Sequence, residues 1–234
     1  MVSGLRKGRM RMTYDAQSLR MQLVEAIERL FQAGVMSHSR HGNMSVRLPG
    51  TEHMLLASTG LHAHLSAEDI PIVTFDGEIV EGGMDPVTRE ITGMHACVYR
   101  ERANVACVMH THSPNVTSFA LAHQPLPCAY EALLRFGVTV DIPVAAWAPR
   151  GSRESVTNIV EQLRRYPDAP AVLLGNHGLL AFGRDPFSTA FLIISMEEAA
   201  ELTLNARKLG GEQAFPAGAL EKEREHMRQF GSLR

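Results

Sequence analysis

The chain has 234 residues, 45% of them hydrophobic, which is enough for one large domain with a buried core. Its 23 basic and 25 acidic residues nearly cancel, and a net charge of -2 gives no electrostatic reason to expect nucleic acid or an anionic membrane as a partner. Three cysteines, Cys97, Cys107 and Cys128, are odd in number and form no CxxC pair. This argues against a disulfide framework and indicates a cytoplasmic protein.

The first half of the chain alternates between helical and strand patterns. Residues 1–12 are basic without a following apolar segment, so we expect a flexible arm there rather than a signal peptide. Asp15 is a candidate N-cap for the amphipathic segment "AQSLRMQLVEAIERLFQAG", which ends near Gly34. Strands are predicted for "GNMSVRL", "HMLLAST" and "IVTFDGEIV", the last with a hairpin turn at its "DG".

The second half begins with a predicted helix, "TREITGMHACVYRERA", followed by the strand "VACVMHTH" and the short helix "SPNVTSFALAH". Further helices are predicted near "SRESVTNIVEQLRRY" and from the Asp185–Pro186 cap to Gly210. Between them, "PAVLLGNHGLLAFG" predicts two apolar strands around a tight turn. The expected organisation is therefore one mixed-sheet domain over residues 13–210, followed by a tail over 211–234 that is helical or disordered.

Three histidines stand at the ends of apolar strands. Side chains two residues apart on a strand point to the same face, so His110 and His112 should lie side by side. His177 lies in the "GNHG" turn, where short backbone segments hold it in place. Three neutral imidazoles suit a catalytic divalent metal such as zinc, although an HxH pair alone is as readily an ordinary pair of core or surface histidines.

Four motifs in order, "HGNMSVR", "LLASTGL", "TREITGMHACVYRERANVACVMHTHSP" and "VLLGNHGLLAFG", resemble the class II aldolase and adducin family over about residues 20–208. The resemblance implies a three-layer α/β/α sandwich around a mainly antiparallel mixed sheet. It also implies a homotetramer with sites near subunit interfaces, and one divalent metal per subunit, Mn²⁺ being favoured by the resemblance and Zn²⁺ the alternative. The site residues it implies are metal ligands at His110, His112 and His177 and anion-binding groups at Gly42, Asn43, Ser45, Thr59 and Gly60.

The chain departs from the family at the residues that would hold a phosphate and move a proton. Where phosphate-using members have "SSE", this chain has "TRE", which places Arg89 where a serine would stand and leaves Glu90 as the expected catalytic acid or base. One extra residue separates Glu90 from His95, which puts the placement of Glu90 in question. Arg40 precedes the anion loop, and both arginines are candidate substrate-binding residues because guanidinium binds carboxylate bidentately.

These departures favour a planar carboxylated substrate. Together with stretches such as "FALAHQPLPCAYEALLRFG", they resemble decarboxylating members of the family. The main expectation is therefore decarboxylation of a hydroxylated aromatic or heteroaromatic dicarboxylate, such as 3-hydroxy-2-methylpyridine-4,5-dicarboxylate from vitamin B6 degradation, with the metal stabilising an enolate or phenolate. Two alternatives stay open: a sugar-phosphate aldolase or epimerase, and a non-catalytic interaction module like the adducin head.

Overall fold

The computed structural model describes residues 15–57, 65–84 and 88–230. The predicted arm over 1–12 and the predicted anion turn at Thr59 and Gly60 lie outside the described residues. Within them, the helices are α1 (Ala16–Gln32), α2 (Thr88–Glu101), α3 (Pro114–Leu121), α4 (Glu131–Leu134), α5 (Arg153–Arg165), α6 (Pro186–Arg207) and α7 (Ala219–Phe230). The strands are β1 (Gly42–Arg47), β2 (His53–Ala57), β3 (Ile72–Thr74), β4 (Ile79–Glu81), β5 (Cys107–Thr111), β6 (Val144–Ala145), β7 (Ala171–Leu174) and β8 (Gly178–Gly183).

The strands form one eight-stranded sheet in the order β4-β3-β2-β1-β5-β8-β7-β6. Neighbouring strands are antiparallel except β6 and β7, which are parallel. The central pairs place the ends of β5 and β8 together, with Thr111 opposite Leu179. The predicted mainly antiparallel mixed sheet is therefore confirmed, and it is not closed into a barrel.

Helices cover both faces of the sheet, which makes three layers. On one face, α1, α3 and α6 pack around Met44, Met109 and Ala181. On the other face, α2 and α5 pack around Val108 and Leu180. Burial on both faces explains why the central strands have continuous apolar runs rather than alternating ones. Because side chains alternate along β5, His110 continues the Val108 face and points toward the α2 and α5 layer.

Local sequence signals account for several element boundaries. Asp15 caps α1 as predicted, its carboxylate accepting from the backbone N–H of Gln17 at 3.0 Å. The hairpin turn at Asp76 and Gly77 is also confirmed, with Gly77 at φ +87°. The sequence prediction missed α4 and β6, which have four and two residues and are too short to show a period. No helix in the described ranges is long and apolar enough to cross a membrane.

Candidate metal centre and active site

His110, His112 and His177 come together where β5 ends and β8 begins. One potential ligand nitrogen from each residue lies within 4.8 Å of the other two. The ring centroids are 4.8 Å apart for His110 and His112, 4.6 Å for His110 and His177, and 4.9 Å for His112 and His177. The three rings thus form a nearly equilateral group around one point, which is the arrangement that the HxH and "GNHG" patterns predict.

The two glycines of "GNHG" allow this convergence because a side chain at either would meet backbone. A Cβ at Gly178 would lie 2.6 Å from the carbonyl oxygen of Thr111 and 2.9 Å from the His112 ring. A Cβ at Gly175 would lie 2.9 Å from the carbonyl oxygen of Ala145. Between the glycines, Asn176 adopts φ +56°, a left-handed conformation that asparagine tolerates better than most residues. The turn can therefore bring His177 against the end of β5.

Hydrogen bonding and burial keep the histidines in the form that binds a metal. The His110 Nδ1–H donates to the carbonyl oxygen of Leu179 at 2.8 Å, so its Nε2 carries the free lone pair and faces His112 Nε2 at 3.0 Å. Burial lowers the pKa of His110 well below its usual value and that of His112 to about 4. Burial also lowers the pKa of His177, with a further contribution from the Arg150 charge.

This donor set fits a divalent transition metal. Three neutral imidazoles that converge from rigid strand ends leave room for exogenous ligands on their open side, as catalytic rather than structural sites require. The tautomer of His110 is fixed by a backbone carbonyl, an outer-shell bond that metal-binding histidines commonly make. Imidazole nitrogen suits zinc well, and nothing in the triad favours Mn²⁺ in particular.

The triad lies on the wall of a cavity of about 230 Å³, between the ends of the central strands β5 and β8 and the α2 and α5 layer. Polar groups of the cavity wall include Asn43, Glu90, Arg150 and Ser155. Much of the remaining wall is apolar and is made by Ile91, Met94, Ala145, Ala146, Trp147, Ala148, Val156, Ile159 and Leu174. The cavity thus combines the histidine triad, a few polar and ionic groups and a broad apolar surface, as small-molecule sites usually do.

Glu90 lines this cavity but does not belong to the potential ligand cluster among the described residues. Its carboxylate is half exposed and lies 3.5 Å from Arg150 Nε. Glu90 and His95 are five residues apart, and five residues along a helix turn by about 140°. Helix α2 is continuous through this region, so Glu90 and His95 lie on different sides of it.

The predicted anion loop is only partly exposed to the cavity. Gly42 and Asn43 line it, whereas Ser45, which was expected to bind substrate, is fully buried beneath α2. The Ser45 hydroxyl lies 2.8 Å from His95 Nδ1 and 2.7 Å from the Tyr99 hydroxyl, and His95 Nε2 lies 2.6 Å from Asn43 Oδ1. Burial lowers the pKa of His95 to about 3, so the ring is neutral.

Because His95 is neutral, the donors and acceptors in this buried series of hydrogen bonds can be assigned. Its Nε2–H donates to Asn43 Oδ1, its Nδ1 accepts from Ser45, and Ser45 in turn accepts from Tyr99. Asn43 is held by its amide oxygen, which leaves the amide NH₂ as the donor it can offer at the cavity wall. His95, Ser45 and Tyr99 are therefore a support for the anion loop rather than part of its surface.

Of the two arginines of the sequence prediction, Arg40 is not among the described residues that line the cavity. Arg40 is exposed, has φ +55° and lies with its guanidinium 5.5 Å from the Phe31 ring, away from the cavity wall. Arg89 lies in the first turn of α2, and its side chain is outside the described part of the chain. The cationic residue found on the wall is Arg150, which the sequence prediction missed.

A second residue missed from sequence is Glu197 of α6, which holds the segment after His112. Its carboxylate accepts from the backbone N–H groups of Asn115 and Val116 at 2.8 and 3.0 Å, and from the Asn115 side chain at 2.9 Å. The N-cap of α3, Ser113, makes no side-chain capping bond. Glu197 thus satisfies the α3 N-terminus from a distance of 82 residues in sequence.

The sequence matches the family described as Class II Aldolase and Adducin N-terminal domain over residues 21–204, and the chain belongs to that family. It is 27% identical to a 5-methylthioribulose-1-phosphate/5-deoxyribulose-1-phosphate aldolase of Rhodospirillum rubrum over 92% of this chain and 93% of that protein. Its structure resembles L-fuculose 1-phosphate aldolase with a TM-score of 0.79 and 23% identity, covering 90% of this chain and 96% of that one. It also resembles YgbL of Klebsiella pneumoniae, whose description gives aldolase, epimerase and decarboxylase as alternatives. The TM-score of this pair is 0.72 and the sequence identity is 25%, and the match covers 89% of this chain and 99% of that one.

These relatives confirm the expected family and fold. The names of the two aldolases give no support to the specific resemblance to a decarboxylase. Class II aldolases use a divalent metal, and the triad supplies a donor set for one.

Proposed function

We propose that this chain is a divalent-metal-dependent carbon–carbon lyase for a small anionic substrate. The observation that carries the proposal is the convergence of three neutral imidazoles on one wall of a cavity that also holds a carboxylate and a guanidinium. A divalent ion held by the triad supplies a Lewis acid for an oxygen next to the bond that breaks. This constellation favours an enzyme over an adducin-like interaction module, which has no use for it.

The other residues of the cavity divide the remaining tasks. Glu90 is half exposed at the rim, where it can take up or release a proton. Asn43 donates an amide N–H to an anionic or carbonyl oxygen of the substrate, and the buried His95 fixes its orientation. The apolar surface of Ile91, Met94 and Leu174 excludes water from the reacting atoms.

Aldol cleavage of a sugar phosphate is the reaction that the relatives favour. Both the aldolase of Rhodospirillum rubrum and L-fuculose 1-phosphate aldolase cleave such molecules, as their names state, and each covers at least nine-tenths of this chain. Epimerisation at the same centre would use the same bond cleavage followed by re-addition. In aldol cleavage Glu90 would take the proton from the hydroxyl whose oxygen becomes the aldehyde carbonyl and return it to the carbon left as an enolate by the broken bond.

Decarboxylation of a hydroxylated aromatic or heteroaromatic dicarboxylate, such as 3-hydroxy-2-methylpyridine-4,5-dicarboxylate, is the second candidate. The specific observation in its favour is the wall made by Ile91, Met94, Val156, Ile159 and Trp147, which suits a flat ring better than a chain of hydroxyl groups that each need a partner. The loss of the "SSE" hydroxyl pair points in the same direction. Here the ring carbon that loses carbon dioxide must gain a proton.

Further features of the proposal concern the assembly and the metal. We propose a homotetramer with the cavity near a subunit interface, in the cytoplasm, and one divalent ion per subunit. Zn²⁺ fits the imidazole set, and Mn²⁺ remains the proposal from resemblance to decarboxylating members.

The test is a substrate panel with the metal-loaded protein. Carbon dioxide release is measured from hydroxylated aromatic dicarboxylates, and aldehyde release from pentulose and hexulose phosphates. Replacing His110, His112 or His177 by alanine should leave folded protein with little bound metal and little turnover, while His53→Ala, in β2 and outside the cavity wall, should leave both unchanged. Full turnover after complete removal of the metal would reject the proposal.

A further inference from the structure

Arg150 is a strongly basic side chain on the cavity wall. Among the residues described as lining the cavity, it is the one with a permanent positive charge. Arg150 lines the same cavity of about 230 Å³ as the metal-binding residues His112 and His177. An anionic group bound by Arg150 would therefore lie close to the metal ligands.

The present partner of Arg150 is held weakly. Its Nε lies 3.5 Å from Glu90 Oε2, and both side chains are about half exposed. Charge-assisted bonds of this type usually have lengths of about 2.7–2.9 Å, and the Arg164–Glu101 pair of this structure reaches 2.6 Å. An ion pair that is so long and so exposed to solvent contributes little free energy. A better-placed oxyanion can therefore replace Glu90 with little loss of binding energy.

The backbone around Arg150 is fixed. The N–H of Ser152 donates to the carbonyl oxygen of Pro149 at 3.0 Å, which closes a four-residue turn with Gly151 at φ +73°. A Cβ at Gly151 would lie 2.9 Å from Glu90 Cβ, so the turn packs directly against α2. Ser152 then caps α5 through the N–H of Ser155 at 3.1 Å. Arg150 thus projects from a rigid turn rather than from a loose loop.

We propose that Arg150 is the anion-recognition residue of the cavity, where it binds a carboxylate or phosphate group of the substrate in place of Glu90. This inference rests on the proposed lyase function and deepens it by naming the group that the substrate must possess. Binding of the anion releases the Glu90 carboxylate at the cavity rim, so recognition and the availability of the acid–base group are coupled. The two planar N–H pairs of guanidinium match either oxyanion in a bidentate manner.

Isothermal titration of the metal-loaded protein with two matched ligand pairs tests this inference. One pair is dihydroxyacetone phosphate and dihydroxyacetone, and the other is 3-hydroxyphthalate and salicylate, which lacks the second carboxylate. Arg150→Met should weaken the phosphate or the dicarboxylate by about thirtyfold and leave its truncated partner within twofold. Arg150→Lys should fall between, since it keeps the charge but not the fork. Arg153→Met, an exposed arginine in the first turn of α5, is the control and should change nothing.

The pair that responds identifies the anion as phosphate or carboxylate, and either response supports the inference. Equal effects of Arg150→Met on charged and truncated ligands, or no effect on any, would overturn it. The outcome is separate from the lyase proposal: Arg150-dependent binding without any turnover rejects the lyase alone. Turnover with unchanged binding in the Arg150 variants rejects the role of Arg150 alone.

Discussion

Gly178→Ala should damage the metal centre through one steric contact. The added Cβ would lie 2.6 Å from the Thr111 carbonyl oxygen, whereas ordinary contact begins at 3.4 Å. Because the obstacle is backbone in a paired central strand, β5 and the turn of His177 would have to separate by roughly 0.8 Å. Metal–ligand distances tolerate only about 0.2 Å. We therefore expect a loss of Zn²⁺ affinity on the order of 10²-fold, with a smaller loss of thermal stability.

The assay is competition for Zn²⁺ with a chromogenic chelator, with circular dichroism to establish that the variant is folded. Gly83→Ala is a matched control, since a Cβ there would have no neighbour within 4 Å and its φ is not in the left-handed region. Gly178 also lacks a positive φ, so any effect must come from the contact and not from backbone strain. Wild-type Zn²⁺ affinity in folded Gly178→Ala would refute the steric argument.

Three further predictions concern groups around the centre. Glu90→Gln should lower turnover by about 10²-fold while bound metal, measured by atomic absorption, stays at one ion per chain; loss of the ion would show that Glu90 is a ligand. The pKa of buried His95 is lowered to about 3 and an unfolded histidine titrates near 6.5, so the unfolded state binds more protons between these values and stability falls as pH drops below 6.5. Urea unfolding at pH 7, 6 and 5 should show a steeper decline for the wild type than for His95→Gln, by about 0.7 kcal/mol from pH 7 to 6 and about 1.2 kcal/mol from pH 6 to 5; parallel declines would contradict a neutral buried His95. Glu197→Gln should destabilise the fold by about 1–3 kcal/mol through the α3 N-terminus, whereas Glu198→Gln, an exposed neighbour, should not alter the unfolding midpoint.

Strong local signals made the fold and the metal triad predictable. The Asp15 and Asp185 caps, the Gly77 turn and the HxH spacing each state a backbone requirement within a few residues. His177 was found because "GNHG" is a turn that brings a side chain back to a strand end. Such features depend on short-range geometry, which a sequence records directly.

The other residues of the site depend on how deeply a side chain is buried and on contacts between residues far apart in sequence. Ser45 shares a strand face with Asn43 but lies two residues further in, about 7 Å along the strand, which is why it meets α2 rather than the cavity. The period of the strand predicts that the two side chains share a face, but it does not show that α2 covers Ser45. The sequence signal for Arg150 is weaker: it directly precedes Gly151 and the N-cap Ser152, which lie just before α5. Nothing near Asn115 in sequence indicates that Glu197 binds it.

The Glu197 contact affects the stage of protein synthesis at which the metal can bind. A nascent chain that has been synthesised through Gly183 already contains the eight strands of the described residues and the three histidines of the triad. Yet the N–H groups of Asn115 and Val116, just after His112, have no carboxylate to bind until α6 is synthesised and docks. Metal acquisition should therefore be a late event in biosynthesis, and chains that end before α6 should bind the ion poorly despite having every ligand.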